Sequence, residues 1–276
     1  MIINFSKMQG LGNDFVVIDA ISQSINLTVE QICFFADRHF GIGCDQLLLI
    51  EKPLQENADF RYRIFNADGS EVGQCGNGAR CFAKFVLDKQ LTNKHEIVVD
   101  TLSGQLVLRM DERGLITVNM GIPKHQPDAI PLVMADESTL YNVNIDDNEV
   151  EFAALSIGNP HAVIRVDNVA DAALETIGAA MERHPLFPER ANIGFMQIID
   201  RQSIKLRVYE RGAGETLACG SGACAAVIAG IEQNLLDLDV GVSLPGGELQ
   251  IRWLGRGHPV FMTGPAILVY EGRIEI

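Results

Sequence analysis

A short pattern occurs twice in this chain, and its duplication limits what the chain can fold into. Gln74-Cys75-Gly76-Asn77-Gly78-Ala79-Arg80-Cys81 returns as Ala218-Cys219-Gly220-Ser221-Gly222-Ala223-Cys224, each copy reading Cys-Gly-x-Gly-Ala. Apolar residues at helical spacing follow both: Cys81, Phe82, Phe85 and Val86 after the first, Ala225, Ala226, Ile228 and Ala229 after the second. A cysteine just ahead of such a run sits at a helix N-terminus, where unpaired N–H groups and the helix dipole favour an anion. That placement is expected to lower a thiol pKa from about 8.5 toward ~3.5–7.5. Two such cysteines on two copies of one motif predict a pair of opposed acid–base groups.

Other landmarks repeat in the same order. Gly12-Asn13, ahead of an apolar strand, matches Gly158-Asn159 at an offset of 146 residues, and Asp45-Gln46 matches Ala191-Asn192 at the same offset. Asn66-Ala67 pairs with Glu210-Arg211, and Cys75 with Cys219, both at 144. The chain therefore reads as two copies of one α+β unit facing each other. Each copy has strands before and after its Cys-Gly-x-Gly-Ala helix. The first also carries a helix opening at Thr28, where Thr-x-x-Gln resembles a capping box. Residues 123–147 have no counterpart in the first half, and the alternation in Tyr141-Asn142-Val143-Asn144-Ile145 suggests a surface hairpin or connector. The expected domains are 1–120, with 265–276 packing back on it, and 121–264.

At 276 residues there is room for two domains of ordinary size. A net charge of −14 argues against nucleic acid or an anionic membrane as partner. The N-terminus lacks a basic stretch ahead of a long apolar one, and no apolar run nears the ~18 residues of a membrane span. A cytoplasmic protein is the expectation.

Two thiols at opposed helix ends can invert a stereocentre. One thiolate takes a proton from carbon while the other thiol delivers one to the opposite face. The N–H groups of Gly76-Asn77 and Gly220-Ser221 could stabilise charge developing on an adjacent carboxylate. Cofactor-free racemisation of an amino acid fits. Competing readings remain at this point. The six cysteines include no C-x-x-C pair, but 75/81 and 219/224 could form a redox or zinc site. Gly220-Ser221-Gly222-Ala223-Cys224-Ala225 fits a dinucleotide fingerprint, and Lys7, Lys84 or Lys205 could carry a Schiff base. Cys33, Cys44, Cys81 and Cys224 read as core, and His39, His95, His125, His184 and His258 as surface or satisfied.

Met8-Gln9-Gly10-Leu11-Gly12-Asn13-Asp14-Phe15, Phe65-Asn66-Ala67-Asp68-Gly69-Ser70, Cys75-Gly76-Asn77-Gly78-Ala79-Arg80, Gly158-Asn159-Pro160-His161, Tyr209-Glu210-Arg211-Gly212 and Ala218-Cys219-Gly220-Ser221-Gly222 closely resemble motifs of the diaminopimelate epimerase family. The motifs keep their order over essentially the whole chain. The resemblance implies a mixed α/β (α+β) fold of two pseudo-symmetric domains, each a curled, mostly antiparallel sheet around a central helix, with the active site between them. It implies interconversion of LL- and meso-diaminopimelate, without PLP or a metal, on the route to lysine and peptidoglycan. It makes Cys75 and Cys219 the acid–base pair, with His161 and Glu210 tuning their protonation. It makes Asn13, Gln46, Asn66, Gly76, Asn77, Asn159, Asn192, Glu210, Arg211, Gly220 and Ser221 substrate contacts. Tyr270 matches a dimer-contact aromatic, so a homodimer is expected. A racemase of the proline type shares the paired cysteines, but its substrate gives Glu210-Arg211 no task.

Overall fold

The computed structural model describes residues 1–73, 75–146 and 148–276; Gln74, which opens the first motif, and Asp147, which ends the expected connector, lie outside the described residues. The chain divides into two compact units, residues 1–119 with 263–276, and residues 120–262.

In the first unit β1 (Ile2–Gly10) and β2 (Asn13–Asp19) form an antiparallel hairpin. Helix α1 (Val29–Ala36) follows, its N-terminus closed by the expected capping box: Thr28 accepts from the Gln31 N–H while the Gln31 side chain accepts from the Thr28 N–H. α1 carries the chain over to β3 (Gln46–Glu51), which runs parallel to β2, and β4 (Phe60–Asn66) returns antiparallel to β3. The short β5 (Glu71–Val72) leads to α2 (Gly76–Asp88), and this second crossover sets β6 (Glu96–Thr101) parallel to β4. β7 (Gly104–Met110) and β8 (Ile116–Asn119) complete a meander. Each parallel pair thus has a helix in its connection, as parallel neighbours require.

The second unit repeats this plan. β9 (Tyr141–Ile145) and β10 (Asn148–Ser156) pair antiparallel, as do β10 and β11 (Pro160–Arg165). A π-turn at Leu174–Gly178 and the short α3 (Ala179–Glu182) stand in the place of α1. β12 (Asn192–Asp200) lies parallel to β11 and antiparallel to β13 (Ser203–Glu210), and β14 (Gly214–Thr216) leads into α4 (Gly220–Glu232). β15 (Asp239–Leu244), parallel to β13, then β16 (Gly247–Trp253) and β17 (Val260–Gly264) follow. The chain ends with β18 (Ile267–Glu275), antiparallel to β1.

Two features of the repeat are clearer in three dimensions. The offset drops from 146 to 144 because residues 52–59 form a long loop between β3 and β4, whereas β12 runs on to a tight turn at Arg201-Gln202. The expectation that residues 123–147 lack a counterpart is corrected for β9. It flanks β10 as β18 flanks β1, but its equivalent comes from the far end of the chain.

The central helices are buried almost all round. α2 packs on β1, β2, β3, β7 and β8, and α4 on β10, β11, β12, β13 and β16. Phe82 of α2 meets Tyr62 and Phe60 edge-on, at ring separations of 5.3 and 5.9 Å. On the sheet's other face, Val16, Ile18, Leu47 and Leu49 pack with Ile32, Phe35 and Ala36 of α1. Leu174 and Met181 cover Ile164, Ile193 and Phe195 in the same way in the second unit. Burial on both faces explains the unbroken apolar runs in β2, β3 and β12. Cys81 and Cys224 are core, as is Cys44; burial pushes the Cys81 thiol up to about 12 and the Cys44 thiol to about 11. Cys33, expected in the core, is only half-buried, its sulfur lying beside the turn at Gly69.

Candidate active site

Both motif cysteines occupy the N-cap of their helices in extended conformation, Cys75 at φ −141° and ψ 121°, Cys219 at φ −106° and ψ 106°. The small residues of Cys-Gly-x-Gly-Ala let the helix start close to its sheet. A Cβ on Gly78 would lie 2.6 Å from the Tyr62 hydroxyl and 3.2 Å from the Phe15 ring. On Gly222 it would lie 3.1 Å from Val208 and 3.2 Å from the Cys219 sulfur.

The first unit gathers Asn13, Gln46, Asn66, Cys75, Gly76 and Asn77. Gln46 stands opposite Asn66 across β3 and β4, and its Nε2 donates to Asn66 Oδ1 at 3.0 Å. Asn66 Nδ2 donates to Ser70 Oγ at 3.1 Å, within the turn that leads to β5. Asn13 opens β2. Its Oδ1 lies 3.7 Å from Cys75 Sγ and accepts from Asn77 Nδ2 at 3.4 Å. The Cys75 carbonyl accepts from the Tyr62 hydroxyl at 3.3 Å.

Behind Asn13 lies an ionic network that sequence reasoning missed. Asn13 Nδ2 donates to Asp45 Oδ2 at 3.0 Å, and Arg38 spans Asp14 and Asp45 with bonds of 2.8–3.0 Å. Lys7, largely buried, donates to Asp14 at 2.5 Å and to the Gly43 carbonyl. Burial acts to raise the Asp14 pKa, but hydrogen bonds from Arg38 and Lys7 outweigh it and hold that carboxyl well below the usual range. The available signal was an acidic residue, Asp45, at a repeat position where the second copy has Ala191.

The second unit gathers Asn159, His161, Asn192, Glu210, Arg211, Cys219, Gly220 and Ser221. His161 pairs with Asn192 in register across β11 and β12, and its Nε2 lies 3.1 Å from Asn159 Oδ1. Burial first, and the Arg211 charge second, push His161 down to about 3, so the ring is neutral near pH 7. Asn192 Oδ1 accepts from the Arg211 N–H at 2.9 Å. The buried Glu182, also missed, accepts from the Gly212 N–H at 3.1 Å and pairs with Arg190, tying together the loops that carry Arg211 and Asn192. Glu210 accepts from the Thr216 hydroxyl and lies beside Cys219, whose sulfur is 3.7 Å from Ser221 Oγ.

Here one expectation fails. Cys219 is only 4% exposed, and burial, with the Glu210 charge next, pushes its thiol well above the ordinary value. Hydrogen bonds from Ser221 and the Gly222 N–H act the other way and lose. The helix end alone does not set this thiol's protonation; desolvation outweighs it. Tyr270 lies on β18 opposite Lys7, 46% exposed, its ring meeting Phe5 edge-on at 6.1 Å.

Comparison with known proteins bears on this arrangement. The family model for diaminopimelate epimerase matches residues 5–126 and 153–269. Curated diaminopimelate epimerases from Ectopseudomonas mendocina and Nitrosomonas europaea are 54% and 55% identical over the full length of both chains. Among solved structures, a PhzF-family phenazine biosynthesis protein from Bacillus anthracis superposes with a TM-score of 0.71 at 17% identity, each chain fully covered. A hydroxyproline epimerase from Agrobacterium vitis, solved with trans-4-hydroxy-L-proline, gives 0.69 at 13% identity over 99% of this chain and 92% of its own. These structural likenesses extend the fold beyond recognisable sequence similarity. The duplicated thiol-bearing helices and the full-length identity lead to one family: this chain is a member of the diaminopimelate epimerases.

Proposed function

We infer that the chain interconverts LL- and meso-diaminopimelate, with Cys75 and Cys219 as the acid–base pair. The observation that carries this reading is the repeat itself. Each copy carries, among its strands, a cysteine at the N-cap of a buried helix. In this mechanism one thiolate removes the α-proton and the other thiol protonates the opposite face of the carbon. Reversing direction exchanges their roles. Proton transfer needs no PLP and no metal here, since two thiols sharing one proton supply both base and acid.

The N–H groups of Gly76, Asn77, Gly220 and Ser221 support the α-carboxylate as charge develops at the neighbouring carbon. Arg211 suits the distal carboxylate, and Glu210 with the amide oxygens of Asn13, Gln46, Asn66, Asn159 and Asn192 suits ammonium groups. His161 and Glu210 set the electrostatics around Cys219. The domains in this reading are 1–120 with 265–276, and 121–264. The reading also holds a homodimer through β18 and Tyr270 and a cytoplasmic location, with neither nucleic acid nor membrane as partner. The exposed apolar residues Ile267, Leu268, Val269 and Tyr270 support the dimer. No helix among the described residues is long and apolar enough to cross a membrane.

Incubation with LL-diaminopimelate in D2O tests the assignment. Deuterium should enter the α-position while the meso form accumulates. Absence of exchange in reduced protein would overturn it.

A further inference from the structure

The equivalent asparagines Asn13 and Asn159 are held in opposite ways. A carboxylate only accepts hydrogen bonds, so the amide group facing Asp45 must be the Asn13 NH2. That leaves Oδ1 as the atom turned to the Cys75 sulfur, at 3.7 Å. Asp45 cannot swing away easily. Its Oδ1 accepts from Arg38 at 2.8 Å, its Oδ2 also accepts from the Asp14 N–H at 3.1 Å, and its own N–H donates to Asp14 Oδ1 at 2.8 Å. Arg38 and Lys7 hold Asp14 in turn. In the second copy Ala191 stands where Asp45 would be, and Asn159 Oδ1 faces His161. The imidazole, neutral near pH 7, lies with Nε2 3.1 Å from that oxygen.

We propose that Asp45 is a positioning residue for Cys75: by holding the Asn13 NH2 it keeps Asn13 Oδ1 turned to the sulfur as acceptor for the S–H. This rests on the two-thiol reading above and adds to it a fixed direction for one thiol's hydrogen. An acceptor oxygen matches a protonated sulfur and opposes a thiolate. Without Asp45 the amide keeps only the 3.4 Å bond from Asn77 Nδ2 to its oxygen, and it can turn, present its NH2 to the sulfur and favour the thiolate instead. Copy one thereby gains a bias that copy two, with Ala191, does not build in this way.

A double-mutant cycle on the full-length chain tests it. The variants are Asp45→Ala, Asn13→Ala and the two combined, with Asp45→Asn as a same-size substitute. Asp45→Asn leaves one oxygen for three donors, so it should act in the same direction as alanine while preserving packing. The first readout is the rate of Cys75 alkylation by iodoacetamide at neutral pH, followed by peptide mass; it needs no substrate. Losing one charged hydrogen bond should raise that rate about tenfold in Asp45→Ala. In the Asn13→Ala background the same change should alter it by no more than about twofold. The second readout is α-deuteration, where kcat should fall about tenfold in Asp45→Ala, again only with Asn13 present. Unchanged alkylation in both Asp45 variants, or an equal change without Asn13, overturns the proposal. If the unmodified protein fails to exchange protons at all, the epimerase reading falls, while the alkylation cycle still decides whether Asp45 acts on Cys75 through Asn13.

Discussion

Cys75 and Cys219 leave the backbone at the same N-cap position, yet their neighbours differ in kind. Cys219 is sealed in, with Glu210 beside it. Cys75 is half-buried and faces an amide oxygen steered by a carboxylate and two cations. Duplication preserved the strand order, the crossovers and the helix start. It did not preserve the polar residues behind them. A thiol that must sometimes be acid and sometimes base requires only that the pair together hold one proton. Two unlike surroundings meet that requirement as well as two identical ones.

The largest expected effect treats the copies as equals. Cys75→Ala and Cys219→Ala should each lower epimerisation by about 10²–10⁴-fold, the usual contribution of a positioned acid or base. Substantial activity in either variant, measured by α-deuteration of folded protein, would break the symmetry at its root.

The glycines sharpen the contrast next. Gly78→Ala drives a methyl toward the Tyr62 hydroxyl at 2.6 Å and should destabilise by about 1–3 kcal/mol in urea unfolding. Gly222→Ala meets its neighbours at 3.1 and 3.2 Å and regains helix propensity, so its change should stay within about 1 kcal/mol. Because one of those neighbours is the Cys219 sulfur, Gly222→Ala should impair activity out of proportion to its stability.

β9 and β18 are counterparts with opposite exposure. Tyr141, Val143 and Ile145 of β9 are buried, whereas four consecutive residues of β18, from Ile267 to Tyr270, are exposed. If the proposed homodimer forms through β18, Tyr270→Ala should weaken it about tenfold, and the β9 face should contribute nothing to it. Sedimentation of the unmodified protein as a monomer at micromolar concentration would reject this.

The last contrast is a pH dependence set by a histidine of the second copy. His161 titrates near 3 when folded and near about 6.5 in an unfolded chain. Between those values the unfolded chain binds the extra proton, so this contribution to stability rises with pH and is lost as pH falls from about 6.5 toward 3. Phe15 occupies the equivalent position in the first copy and has no proton to bind. His161→Gln should flatten the difference in urea midpoint between about pH 4.5 and 7.5; an unchanged slope assigns the dependence to other groups.

Much of this was legible in the sequence because it is local or periodic. The Thr28 capping box, the apolar strands and the Cys-Gly-x-Gly-Ala helices are short-range patterns, and the offsets located equivalent residues in both copies. What escaped depends on contacts distant in sequence. The helix-end argument saw the dipole at Cys219 but not the packing above it, which raises the thiol instead. Asp45 served only as a landmark, since nothing beside it in sequence shows that Arg38, Asp14 and Asn13 converge on its carboxylate. β9 looked unmatched because its partner in the repeat follows β17, outside the run of constant offset.

The placement of β18 matters while the chain is being made. The second unit is continuous, so its residues have all been made once residue 262 has emerged from the ribosome. The first unit begins earlier and finishes later. β1 pairs with β18, which lies beyond the second unit in sequence, so one flank of β1 has no partner until β18 has been made. A nascent first unit therefore exposes an unpaired apolar strand edge throughout synthesis of the second, the kind of edge that recruits other chains. Order of synthesis and order of completion run opposite ways, with the half begun first waiting on a strand made after the second half.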